Sequence, residues 1–160
     1  MPSRSLSRLH VSGGRHPLPT PPLADQGTAR LVGWLGDVST ERVLVFGRGL
    51  DLICALLHAG AAEAELRCSH ELLEPHCASL VIVPDLPSTD WLASALPHIS
   101  RALIPNGRLV LVIGPAAGHQ ANGIRRQLSL HGFSAIRVGQ IGDDLVISAE
   151  VPAFHIRHVA

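Results

Sequence analysis

Tyrosine and lysine are absent from this chain of 160 residues, and aromatic residues of all kinds make up 3% of it. A core must therefore be built from Leu, Val, Ile and Ala, and a hydrophobic fraction of 46% is large enough to build one. The length suits a single core and is short for two ordinary domains. Net charge is also absent: 13 arginines balance 13 acids, so no global field draws in nucleic acid or an anionic membrane surface, and neither is expected as a partner. Cysteine is scarce and odd in number, with only Cys54, Cys68 and Cys77 in a chain without a recognisable secretory signal. That argues against a disulfide framework and for a reducing, cytoplasmic setting. Apolar runs such as Leu109–Ile113 fall far short of the roughly 18 residues needed to cross a bilayer.

What is present divides into three parts. Residues 1–24 carry Arg4, Arg8 and Arg15 among Ser and Gly with no acid before Asp25, and Pro17-Leu-Pro-Thr-Pro-Pro22 favours extended polyproline geometry. This Pro/Arg-rich arm is open to three readings: an ordered arm packed on the body or a partner, a loosely held tail, or an organelle transit peptide, the last lacking an amphipathic helical face. Residues 25–153 read as the domain and residues 154–160 as a tail.

Within the domain, apolar periodicity alternates between helix and strand. Thr28–Leu35 reads as a helix ending near Gly36, and Arg42–Phe46 as a strand covered on both faces. Leu50–His58 reads as a helix closed by Gly60, Ala64–Cys68 as a weak strand, and Leu80–Val83 as a buried strand ended by Pro84. Thr89–Leu103 follows as a helix capped by Ser88 or Thr89, in which Pro97 implies a kink or a break. Pro105-Asn106-Gly107 reads as a turn, Arg108–Ile113 as a buried strand, and Asn122–Leu130 as a helix that Gly132 terminates. Ser134–Val138 and Leu145–Val151 close the domain as a strand pair around Gly142-Asp143-Asp144. Alternating elements imply a parallel sheet with helices on both faces, and the closely spaced last pair implies an antiparallel hairpin at one edge.

Three stretches carry a resemblance. Val43-Leu-Val-Phe-Gly-Arg-Gly49 resembles the strand and Gly-x-Gly-x-Gly turn of class I S-adenosylmethionine-dependent methyltransferases. Leu96-Pro-His-Ile-Ser-Arg-Ala-Leu-Ile-Pro-Asn-Gly-Arg-Leu-Val-Leu-Val112 looks like that family's helix, Pro-Gly-Gly turn and fifth strand, with Asn106 in place of one glycine. Leu128-Ser-Leu-His-Gly-Phe133 is similar to the ending that leads into the family's hairpin. The resemblance covers Thr28–Val151 and implies an α/β, three-layer Rossmann-like sandwich, its sheet mostly parallel with an antiparallel C-terminal hairpin. Too few residues lie between Cys68 and Leu80 for the elements the family places there, so the usual third strand is expected to be missing, together with the loop that walls the adenine ring.

The cofactor positions that the resemblance implies are Gly47, Arg48, Gly49, Asp51, Cys68 and Asp85. Cys68 falls where the family places an acid that accepts hydrogen bonds from both ribose hydroxyls, and a thiol is a poor substitute for a carboxylate. Asp51 stands where a third glycine is expected; in the first turn of a helix it is expected to cap free N–H groups and to compete there with the methionine carboxylate. Gly47 and Gly49 serve either a ligand or a purely structural turn needing positive φ. Arg48 between them can hold a small anion or pair with an acid. Asp85, at a strand end where the family orients its methyl acceptor, is either a base or a loop residue that caps its own backbone. Cys68, His70, His76 and Cys77 are zinc-type donors, but Cys-x-His and adjacent His-Cys are not the usual spacing, so no metal is expected.

These departures lead to the expectation of a non-catalytic, degenerate methyltransferase-like domain acting in self-association or partner binding. The surface would be the shortened sheet edge or the N-terminal arm, with a homodimer or a protein as partner; no catalytic residue is assigned and no cofactor is expected. One alternative is a compact S-adenosylmethionine-dependent methyltransferase acting on a small molecule, with Asp85 or His70 positioning the acceptor. The other is a small-ligand or nucleotide-binding module at the same crevice.

Overall fold

Three neighbouring strands buried on both faces organise the molecule. The computed structural model describes residues 26–47 and 49–153; the arm (1–24), Arg48 and the tail (154–160) lie outside the described residues. The elements are α1 (Gln26–Leu35), β1 (Arg42–Phe46), α2 (Leu50–His58), β2 (Glu63–Arg67), β3 (Ala78–Val83), α3 (Thr89–Ala102), β4 (Leu103–Ile113), a 3-10 turn (Pro115–Gln120), α4 (Ala121–Leu130), β5 (Ser134–Ile141) and β6 (Asp144–Glu150). They form a six-stranded sheet in the order β2-β1-β3-β4-β6-β5. The first four strands run parallel, while β6 is antiparallel to both β4 and β5. This is the expected α/β sandwich, and the stretch between β2 and β3 contains turns and bends rather than a further strand.

Side chains alternate across the sheet and feed two separate cores. Leu44, Phe46, Val81, Val83, Leu109 and Leu111 pack with Leu92, Leu96 and Ile99 of α3 and Ile124 and Leu128 of α4. Val43, Val45, Leu80, Ile82, Val110 and Val112 pack on the other face with Leu31 and Leu35 of α1 and Leu52, Ile53 and Leu56 of α2. Among the described residues no polar or charged side chain is buried, so both cores are held by apolar burial alone. Trp34 on α1 borders the second core, and Gly139 in β5 gives it room, since a Cβ there would lie 2.9 Å from Trp34 Nε1.

Two helices end by the same device. Gly60 (φ +101) donates to the Leu57 carbonyl while Ala61 donates to that of Leu56; after α4, Gly132 (φ +84) donates to Ser129 and Phe133 to Leu128. These are Schellman closures, and in each the residue after the glycine is buried with its partner one turn back. The sheet closes in a two-residue hairpin: Ile141 opposes Asp144, and Gly142 at φ +60 takes the first turn position that favours glycine.

Several expected boundaries move. Of the kink or break expected at Pro97, the break does not occur: α3 runs unbroken from Thr89 to Ala102, started by Ser88 Oγ accepting from Trp91 N–H at 3.0 Å. Leu92, Ala95, Leu96, Ile99 and Ala102 are all buried, and that continuous apolar stripe outweighs one lost helical hydrogen bond. The weak second strand sits one residue earlier than expected, β3 begins at Ala78, and β5 extends to Ile141. Pro105-Asn106-Gly107 is not a free turn but an irregularity inside the long β4, because Leu103 pairs with Ala78 before the bend and Arg108 with Leu80 after it. Asn106 takes φ +64 there; its N–H donates to the Val151 carbonyl, and the Val151 N–H donates to the Gly107 carbonyl.

Gly107 is the tightest point of this bend, since a Cβ would sit 2.8 Å from the Ile104 carbonyl oxygen and 3.0 Å from Leu103 Cδ2. Gly107→Ala is expected to cost about 1–3 kcal/mol in urea unfolding. Gly114→Ala, at a position with nothing within 4 Å and an ordinary φ of −61, should stay within about 0.5 kcal/mol of the parent. Equal effects at the two sites would refute this account of the bend.

Candidate functional site

Open parallel sheets present their crevice outside the carboxyl ends of the strands, where the chain order reverses. Here the reversal lies between β1 and β3, and a cavity of about 750 Å³ opens beside it. Its floor is Gly49, Leu52, Pro84 and Val112; Thr28, Arg30 and Leu31 of α1 form one wall, and Gly142, Asp143 and Asp144 at the hairpin tip form another. Asp51 lies at the mouth of α2, so three carboxylates and the Arg30 guanidinium share this lining.

The glycine turn is built as its sequence requires. Gly47 takes φ +88 and donates to the Arg67 carbonyl at 3.0 Å, tying the end of β1 to the end of β2. Gly49 is extended (φ 175), so its need for glycine is steric: a Cβ would meet Val45 Cγ1 at 3.0 Å and Pro84 Cγ at 3.8 Å. Its carbonyl accepts from Ile53 N–H at 2.9 Å, opening α2. The expected self-capping by Asp51 is not formed: among the described residues no side-chain hydrogen bond holds the first turn of α2, and Asp51 is exposed. As the second residue of the helix, its carboxylate projects to solvent instead of folding back onto free N–H groups.

The structure brings only part of the expected set together. Gly49 and Asp51 line the crevice. Gly47, Cys68 and Asp85 are exposed and stand outside it, and Arg48 lies outside the described residues. No three of the His, Cys, Asp or Glu side chains described converge as a metal site would require. His76 Nδ1 instead lies 3.2 Å from the Leu103 carbonyl, and His76 N–H donates to the Arg101 carbonyl at 3.0 Å. Two groups escaped the sequence reading. The wall from α1 and the hairpin tip was signalled only by the acidic pair Asp143-Asp144 in a turn.

The second is an aromatic cluster beside the loop that follows β2. Phe46 meets Trp91 edge to face at 5.9 Å, Trp91 stacks on His70 at 5.7 Å, and His70 stacks on His98 at 5.1 Å. His70 Nε2 lies 2.9 Å from Ser94 Oγ, while its Nδ1 is buried without a partner. Trp91, Ser94 and His98 recur at i, i+3 and i+7 on α3, a spacing that puts them on one helix face and was legible in the sequence. Burial holds the His70 imidazole below its usual value, the neighbouring His98 adds to that depression, and Glu71 opposes it.

No protein family matches the sequence, and no curated protein matches it. Solved structures do match in fold. An S-adenosylmethionine-dependent methyltransferase from Mesorhizobium loti superposes with a TM-score of 0.60 at 14% identity, over 79% of this chain and 98% of that one. The 1,6-didemethyltoxoflavin-N1-methyltransferase of Burkholderia thailandensis, solved with bound 1,6-didemethyltoxoflavin and S-adenosylhomocysteine, gives 0.62 at 16% over 81% of this chain and 78% of its own. An O-methyltransferase from Thermotoga maritima gives 0.62 at 13%, covering 85% and 68%. The chain therefore has the class I methyltransferase-like fold.

The His70 cluster has a pH signature. Because the folded state holds this imidazole below the unfolded value, the unfolded chain takes up the proton first, so stability falls as pH drops through about 6.5 and levels off below the folded value. Melting temperatures of the parent and of His70→Asn, taken from about pH 7.5 to about pH 5.5, should show the variant gaining on the parent as pH falls. Parallel curves would refute the assignment.

Proposed function

We propose that this chain is a non-catalytic, degenerate domain of methyltransferase-like fold that does not retain S-adenosylmethionine and acts through self-association or a protein partner. The end of β2 carries the reading. That strand closes with Arg67, whose guanidinium pairs with Glu65 at 3.0 Å, and the next residue is the exposed thiol of Cys68. A ribose diol calls for a carboxylate's two charged acceptor oxygens at this point, and a thiol beside a guanidinium offers neither. Residues 68–77 run as bends and turns where the family builds the adenine wall, and Asp51 sets a negative charge at the mouth of the crevice near the place of the methionine carboxylate. The residues present do not fit S-adenosylmethionine.

A small-ligand module is favoured by one separate observation, the cavity of about 750 Å³ walled by α1 and the hairpin tip. Its lining of Asp51, Asp143 and Asp144 against the single Arg30 suits a cationic rather than an anionic occupant.

Thermal denaturation with millimolar S-adenosylmethionine or S-adenosylhomocysteine tests whether the fold retains the cofactor. No upward shift is expected with either. A ligand at about 100 times its dissociation constant adds about 2.7 kcal/mol, so a rise of several degrees would overturn the proposal and restore a working methyltransferase site.

A further inference from the structure

Strand β2 has one neighbour, β1, among the described residues, and its outer side is a sheet edge. The backbone polarity of that edge follows from two hydrogen bonds: Glu63 N–H donates to the Glu41 carbonyl, and the Arg67 carbonyl accepts from Gly47 N–H. Glu63, Glu65 and Arg67 thus turn their main-chain groups toward β1, and by alternation Ala64 and Leu66 turn theirs outward. The side chains alternate as well. Ala64 packs on the core beneath α1 and α2, so Leu66, 38% exposed, lies on that same face, while Glu63, Glu65 and Arg67 lie on the other. On the covering helix, Leu50 (69% exposed), Cys54 and Leu57 (47% exposed) recur at i, i+4 and i+7 as an exposed apolar stripe, whose first residue also lines the crevice.

We propose that this edge pairs with the β2 of a second copy of the chain, antiparallel about a two-fold axis centred on Leu66, joining two sheets into one. This rests on the self-association reading above and fixes its surface. Charge selects the register. A two-fold centred on Ala64 sets Glu63 against Glu65 of the second copy, and one centred on Glu65 sets the two Glu65 carboxylates against each other; like charges directly opposed are unfavourable. Centred on Leu66, each Glu65 opposes Arg67 of the second copy, extending the ion pair that already joins these residues within the chain at 3.0 Å. The outward N–H and C=O of the two Leu66 residues exchange both hydrogen bonds, and those of Ala64 meet Cys68 of the second copy. A two-fold of this kind keeps the α2 layer of both copies on the same side of the joined sheet.

The test uses the full chain in sedimentation equilibrium, with a mass of twice 17.0 kDa expected at micromolar concentration. Glu65→Arg and Arg67→Glu should each weaken the dimer by about tenfold or more, because each sets like charges opposite twice. The double variant Glu65→Arg/Arg67→Glu should restore it, since the swap rebuilds both oppositions; circular dichroism of all three checks folding. A monomeric parent would overturn the proposal, as would a dimer indifferent to these substitutions or a double variant that stays monomeric. So would a dimer lost on removing residues 1–25, which would assign the contact to the arm. The same samples, melted with S-adenosylmethionine, report the cofactor reading separately: a monomer without a thermal shift sinks only the dimer, and a shift sinks the function proposed above.

Discussion

The architecture depends on burying β1, β3 and β4 on both faces at once. Val45, Leu80, Val81, Ile82, Leu109, Val110 and Leu111 are fully buried, and a strand covered above and below needs a helical layer on each side. The chain supplies that pairing of layers by placing α1 and α2, its first two helices, on one side and α3 and α4 on the other. Because the buried set among the described residues contains no polar side chain, no side-chain hydrogen bond inside these cores fixes a unique partner. Shape and strand register carry the specificity instead.

The same constraint explains where the chemistry-bearing residues lie. With the interior closed to polar groups, they stand at the strand ends, in the crevice between α1 and the hairpin tip and in the aromatic cluster beside the loop after β2. That loop is short, yet it is held to the body: Leu73 is buried in the α3 and α4 core, His76 bonds to the end of α3 and the start of β4, and His70 stacks on Trp91. It seals the flank of α3 without adding a strand, which leaves β2 as the edge of the sheet.

Much of the fold was legible in the sequence because its signals are local and mutually consistent. Apolar runs marked β1 and β4, Gly60 and Gly132 marked the ends of α2 and α4, and Gly142 marked the hairpin. The misreadings arose where tertiary contacts override local preference. Pro97 reads as a breaker, but a fully buried helix face absorbs it; Pro105-Asn106-Gly107 reads as a turn, but pairing of Leu103 with Ala78 keeps the segment in the sheet. The candidate site was legible only at the turn that opens α2. Gly49 and Asp51 reach the crevice, whereas its other walls come from α1 and from the hairpin tip, segments far apart in sequence that no local pattern links.

Trp34 and Trp91 are the only tryptophans, and they sit against opposite cores, one on α1 and one on α3. In a chain without tyrosine, each helical layer therefore carries its own ultraviolet emitter, and replacing either indole leaves a single fluorophore reporting on one side of the sheet. Loosening of the α1 and α2 layer can be followed by light independently of the α3 and α4 layer, although the aliphatic cores that hold both are themselves optically silent.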